Sequence, residues 1–312
     1  MTPQRLVKYA HGKFLITGEY LVMEGARALA LPLNRGQFLK IGPAKDAETP
    51  RLYWTALKPD GLLFSATYLL PELKILKTTH REMAGKLAGI LSVARQLNPA
   101  FLDGSQGCSV ETRLEFDTEF GLGSSSTLVA NLAAWAGTDA FELQWKALGG
   151  SGYDIACATA NGPLFYQVVN NRPVTTPVSW DPPFRKNLFF VYLGHKQRSD
   201  QSIRKFKQQA VFTEKDMDHI SEIGTLLVNT ENLSDFEKLL QEHETLMSKV
   251  LRVPPVQQRL FKGFNGTVKS LGAWGGDFVL ATSHGSQENF GKEMHSRGFR
   301  IFFPWDELVL KA

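Results

Sequence analysis

The 312-residue chain is 43% hydrophobic and 21% charged, an ordinary globular composition, and it is long enough for two domains. Lys and Arg total 35 against 31 Asp and Glu, a net charge of +4, which excludes nucleic-acid or membrane binding by bulk charge and suits small anionic partners. Cys108 and Cys157 lie outside any zinc-ligand spacing, in apolar stretches that suit buried thiols. No apolar run approaches the ~20 residues of a membrane span, and residues 1–9 lack a signal core, so a cytoplasmic enzyme is expected.

In chain order, residues 14–22 and 28–33 are short apolar runs split by Glu24-Gly25, which predicts paired strands across a turn. Residues 38–42 and 52–57 predict further strands. Residues 81–96 place Met83, Leu87, Ile90, Leu91 and Ala94 at helical spacing. Residues 108–116 alternate as a strand, and the apolar, Ala-rich Ser124–Ala136 predicts a buried helix. Residues 163–169 and 188–193 predict strands. The second half turns helical over 202–209, 216–229, 234–250 and 256–270. Strands at 277–282 and 299–303 then flank a helix over Gln287–Ser296. Asn, Pro and Thr cluster over 170–183. An α+β protein in two parts is expected, divided as 1–175 and 176–312.

The segment Gly121-Leu122-Gly123-Ser124-Ser125-Ser126 carries the clearest chemistry. Two glycines let the backbone turn tightly and approach a ligand. The helix that follows offers unpaired N–H groups and a positive dipole end, which together make an anion site. Three serines add hydroxyls for phosphate or magnesium. No lysine follows, so this is not the P-loop pattern. The plainer reading is a Gly/Ser loop ending in an N-cap serine.

Four segments in order resemble the GHMP kinases, the family of galactokinase, homoserine kinase, mevalonate kinase and phosphomevalonate kinase. They are Gly12-Lys13 with Gly18-Glu19-Tyr20, the Gly121–Ser126 turn, Gly150-Ser151-Gly152-Tyr153-Asp154, and Gly272-Ala273-Trp274-Gly275-Gly276-Asp277. The resemblance spans Lys13 to Asp277. It implies an N-terminal α+β domain resembling ribosomal protein S5, a ferredoxin-like C-terminal domain, ATP and Mg2+ as cofactors, and a small anionic metabolite as acceptor.

The resemblance makes Asp154 the expected catalytic base, with Lys13 beside it to keep the carboxylate ionised. A loose transition state lets Asp154 orient the hydroxyl more than deprotonate it. The plainer role for Asp154 is capping a helix over 155–160. Gly121, Leu122, Gly123, Ser124, Ser125 and Ser126 would cradle the ATP phosphates, with Ser125 on magnesium. Glu142, 12 positions before Asp154, is the nearest acidic candidate for the metal, and is equally readable as a surface residue. Glu19 matches a family glutamate by position, against a solvated residue between strands. In the loop after residue 193, Lys196, Arg198 and Ser199 would face the substrate, or form a plain basic turn. Gly272, Gly275, Gly276 and Asp277 would close over phosphates or substrate. His243 and Glu244 read as part of a charged helix face.

Departures from the family pattern are Trp274 where glycine is usual, Tyr20 for histidine, His11 for a common proline, Ser126 for alanine, and Asp117–Phe120 where Pro-Xaa-Gly often stands. They bear on the acceptor more than on the ATP site. The Gly-Tyr-Asp segment and the Gly-Gly-Asp of the last motif look most like phosphomevalonate kinase, then mevalonate kinase, both of isoprenoid precursor synthesis. Asp154 argues against homoserine kinase, and no galactokinase-like sugar signature is present. The alternatives are another sugar or amino-acid alcohol kinase of the family, diphosphomevalonate decarboxylase, a non-catalytic nucleotide-binding member, and an RNA-binding module.

Overall fold

The structure, a computed structural model, describes residues 6–44, 49–194, 199–274 and 277–311. The chain forms two compact units: Met1–Gly12, Arg35–Thr118 and Leu122–Thr159 in the first, Lys13–Asn34, Glu119–Gly121 and Ala160–Ala312 in the second.

The first unit contains strands β1 (Leu6–Leu15, whose end belongs to the second unit), β2 (Ala28–Pro43, whose start does), β3 (Arg51–Lys58), β4 (Gly61–Leu69), β5 (Lys74–Thr78) and β6 (Cys108–Leu114). The strand order is β5-β4-β3-β6-β2, with β1 on β2; β3 and β6 are parallel, and β4 with β5, β3 with β4 and β2 with β6 are antiparallel. Alternate residues Leu52, Trp54 and Ala56 of β3 and Phe64, Ala66 and Tyr68 of β4 are buried, the two-residue period of a half-covered sheet. Four helices complete the unit: α1 (Arg81–Leu97), α2 (Ser124–Ala136), α3 (Ala140–Ala147) and α4 (Tyr153–Thr159). The α1 stripe Ala84, Leu87, Ile90, Leu91 and Ala94 joins Val129, Leu132, Ala133 and Ala136 of α2 in one apolar core.

The second unit pairs the start of β2 with β7 (Leu164–Val169), which pairs with β8 (Arg172–Pro177). A four-stranded antiparallel sheet follows, in the order β10 (Val268–Ser270), β11 (Phe278–Thr282), β9 (Leu188–Tyr192), β12 (Phe302–Pro304). Helices α5 (Ser199–Gln209), α6 (Glu214–Asn229), α7 (Leu233–Leu251), α8 (Val256–Leu260), α9 (Gln287–Ser296) and α10 (Trp305–Leu308) belong to it. Both faces of β9 and β11 are covered, so their residues are apolar without alternation. Phe189 stacks on Phe290 with ring centroids 4.0 Å apart, while its neighbour Phe190 stacks on Phe14 at 4.5 Å.

The α+β expectation holds. Residues 28–33 and 38–42 form one strand, not two. The helix expected over 256–270 stops at Leu260, because Gly263 takes φ 69° and Gly266 backs onto the Thr282 carbonyl, where a Cβ would stand 2.4 Å away. The chain re-enters the sheet as β10 instead. Cys108 and Cys157 are not disulfide-bonded; one is half-buried and one buried. Among the described residues, no helix is long and apolar enough to cross a membrane.

Candidate functional site

Gly123, at φ 97°, is the N-cap of α2, and no side chain caps this helix. The first helical bond runs from Thr127 N–H to Gly123 O at 2.9 Å. The three serines are therefore the first three helical residues, and none is the cap that the plainer reading required. Their backbone N–H groups precede the first helical bond and stand at the positive end of the dipole.

The hydroxyls divide the work. Ser126 is buried and donates to Gly123 O at 2.9 Å, while Ser125 is exposed. Behind them, Thr127 Oγ1 donates to Gln37 Oε1 at 2.9 Å, and Asn131 Nδ2 donates to Gln37 O at 2.8 Å, fixing α2 to β2.

Two glycines show how closely the motifs meet. A Cβ on Gly12 would stand 2.9 Å from Arg35 O and 3.0 Å from Leu122 O, so the first motif backs onto the phosphate turn in the first unit. In the second unit, a Cβ on Gly121 (φ 66°) would stand 2.5 Å from Asp277 Oδ2. The start of the phosphate turn thus lies against the last residue of the C-terminal glycine loop. Asp277 itself has φ 52°, and its carbonyl accepts from Leu193 N–H at 2.8 Å.

Asp154 lies half-buried inside the first turn of α4, after Gly149, Gly150 and Gly152, all at positive φ. It follows the helix start rather than preceding it, so it is not the cap of that helix. The helices α2 and α4 pack together in the first unit. Lys13 is half-buried on β1. Glu142 is exposed in the first turn of α3 and its carboxylate pairs with Lys146 Nζ at 2.9 Å. A carboxylate neutralised by an ammonium is a poor magnesium ligand. Among the described residues, no three His, Cys, Asp or Glu side chains gather to hold a metal. Lys196, Arg198, Gly275 and Gly276 lie outside the described residues, and Ser199 begins α5. Gly272 has φ 62°.

Glu19 is not solvated: it is 1% exposed, and Lys269 of β10 is 0% exposed. Lys269 Nζ donates to Glu19 Oε1 and, at 2.7 Å, to Ser270 O. His243 Nε2 of α7 lies 3.1 Å from Glu19 Oε2 and 3.3 Å from the Gly18 nitrogen. One ring nitrogen cannot donate to the carboxylate and accept from Gly18 together. With the proton on Nε2 the ring donates to the carboxylate and leaves the Nδ1 lone pair and the Gly18 N–H unsatisfied, a smaller penalty than stranding a charged oxygen and an Nδ1–H. Next to it, Glu244 accepts from Ser270 N–H at 3.0 Å and Val256 N–H at 3.4 Å.

Burial acts against Glu19's charge, but Lys269 and His243 overcome it and hold the carboxyl below its usual range. Burial, then Lys269, keeps His243 low and neutral, and burial pushes Glu244 up to about 7. His243 and Glu244 are thus core residues, not a solvated helix face. The missed signal was the pairing of an acid with a lysine 250 positions away.

Two departures from the family pattern meet here. The Tyr20 hydroxyl, raised in pKa mainly by burial, is bonded by the Ser202 side chain and the Trp274 backbone. The Tyr20 ring stacks on Phe206 at 5.1 Å. Trp274 is buried among Leu21, Phe206, Ile220, Met247 and neighbouring apolar side chains.

No protein-family model and no curated sequence matches the chain. Solved structures do. A mevalonate kinase from Methanococcus jannaschii superposes with a TM-score of 0.71 at 16% identity, covering 99% of each chain. The L. major mevalonate kinase in complex with R-mevalonate has a TM-score of 0.69 at 15% identity, covering 100% of this chain and 97% of the other. The Streptococcus pneumoniae phosphomevalonate kinase in complex with phosphomevalonate and AMPPNP has a TM-score of 0.67 at 17% identity, covering 98% of each. The chain has the two-domain fold of the GHMP kinases.

Proposed function

We propose that the chain is an ATP-dependent small-molecule kinase, transferring the γ-phosphoryl group to a hydroxyl or phosphate oxygen of a small acid, with phosphomevalonate or mevalonate as the preferred acceptor. The observation that carries the reading is the start of α2: a left-handed glycine cap with no side-chain partner, followed by three serines. Its backbone N–H groups would bind the β- and γ-phosphates, and the exposed Ser125 hydroxyl would reach the phosphates or their metal. Magnesium, when bound with nucleotide, supplies charge neutralisation. Ser125, exposed at the start of α2, is the side chain that would reach that ion, and Glu142 is held in a surface pair with Lys146.

Asp154 would accept a hydrogen bond from the attacking hydroxyl and orient it in line. Positioning and charge neutralisation would supply most of the acceleration. The test is ADP release over a panel of hydroxy acids, sugars and their phosphates, with mevalonate and phosphomevalonate assayed separately. Turnover on a small acid that disappears in Asp154→Asn is expected. No turnover on any member, or full activity in the variant, overturns the reading.

A further inference from the structure

The second unit buries four ionisable side chains in one place: Glu19, His243, Glu244 and Lys269. A buried ion pair gains little over an apolar packing of the same volume, because desolvation offsets the attraction. What such a group does supply is a fixed position. Glu19 sits between Gly18 at φ 83° and Tyr20 at φ 62°, ψ −47°, a positive-φ backbone that a tyrosine rarely adopts. The turn is held from two directions. Glu19 Oε1 accepts from Lys269, and its Oε2 lies 3.1 Å from His243 Nε2. On the next residue, the Tyr20 hydroxyl is bonded by the Trp274 backbone. Lys269 and Trp274 stand at either end of one short segment, the end of β10 and the glycine loop after it. The same segment is tied down again where Ser270 N–H donates to Glu244.

We propose that Lys269, Glu19 and His243 form a buried positioning group that fixes the first-motif turn to the C-terminal glycine loop. Glu19 then acts through the backbone it holds and does not touch the phosphate acceptor. Lys269 and His243 become determinants of acceptor binding without contacting it. Tyr20 and Trp274, the two bulky departures, belong to the same clamp. This inference rests on the kinase reading only for its kinetic half.

The test is a cycle of Glu19→Gln, Lys269→Met and the double variant. Each single variant strands one buried charge, so each lowers Tm by roughly 5–10 °C. Acceptor KM is expected to rise about tenfold or more, with ATP KM within about twofold, the split expected of misplaced acceptor contacts. The double variant strands no charge. It recovers most of the lost Tm and brings acceptor KM back toward the wild-type value. Hydrogen exchange over residues 14–25 and 270–274 should quicken in Lys269→Met and slow again in the double variant.

A double variant that regains Tm but stays as poor as Glu19→Gln toward the acceptor overturns the proposal, because Glu19 then contacts the acceptor. Unchanged Tm and exchange in both single variants overturn it too, because the clamp does not exist. A wild-type protein without turnover on any acceptor defeats the kinase reading alone, and exchange and Tm still decide whether the clamp exists.

Discussion

The start of α2 and the core beside β10 treat charge in opposite ways. At α2, a glycine cap leaves helix donors without a side-chain partner, and Ser125 is exposed beside them. Beside β10, two acids, a lysine and a histidine are almost fully buried and face one another or the backbone. Open donors at a surface are built to receive a ligand. Closed charge in a core is built to hold the chain. The difference predicts that changes at α2 and Asp154 weaken binding or chemistry with little effect on stability, and that changes beside β10 do the reverse or do both.

The largest expected effect tests the open side. Asp154→Asn should lower kcat by about 10²–10⁴-fold, the usual scale for a positioned acid or base, with Tm nearly unchanged by calorimetry. A comparable loss of Tm would move Asp154 into the structural class.

Gly121→Ala comes next, because it strikes the start of the glycine–serine turn. The new Cβ meets the Asp277 carboxylate at a backbone of φ 66°. A destabilisation of about 1–3 kcal/mol is expected in urea unfolding, together with weaker nucleotide binding.

Glu244 supplies a pH test of the closed side. Its pKa is raised to about 7 by burial, against an ordinary 4.5. Between those values the folded chain keeps a proton that the unfolded chain has lost. This group's contribution to stability therefore falls as pH rises from about 4.5 to about 7, and is flat above. Glu19 runs the other way: its depressed pKa contributes stability above the usual carboxylate range, lost as pH falls. Glu244→Gln isolates the first effect. Relative to wild type, the variant should gain about 1–3 kcal/mol between pH 5 and pH 8, read from urea midpoints. A difference that does not vary with pH would mean that Glu244 ionises normally.

The smallest effect separates two neighbouring serines. Ser126→Ala removes a buried hydrogen bond and should cost about 1 kcal/mol of stability with little change in ATP KM. Ser125→Ala should leave Tm alone and raise ATP KM a few-fold. Reversed results would exchange the roles assigned to them.

What the sequence disclosed follows the same division. The phosphate turn was legible because it is local: two glycines, three serines and the apolar helix Ser124–Ala136 are contiguous. The β10 core was illegible because its partners lie far apart and one wore a disguise. The helix expected over 256–270 ran through Lys269, and lysines are seldom buried. Gly263 and Gly266, which break that helix, were the available warning. Edge strand β8 looks like a loop in the sequence because it is mostly exposed and carries two prolines. The hairpin β4–β5 went unread although β4 alternates clearly, and β5 is largely exposed. Trp274 and Tyr20 were each legible as departures, but their pairing was not, since only the fold brings residues 20 and 274 together.

The most direct measurement is calorimetric titration of AMPPNP into four proteins: wild type, Gly123→Ala, Ser125→Ala and the Glu19→Gln/Lys269→Met double variant. The account predicts one nucleotide bound per wild-type chain. Gly123→Ala should bind at least about tenfold more weakly, because alanine resists φ 97° at the cap. Ser125→Ala should lie between, and the double variant should match wild type. No binding to the wild type, or equal binding by Gly123→Ala, would contradict the assignment of the α2 turn as the triphosphate site.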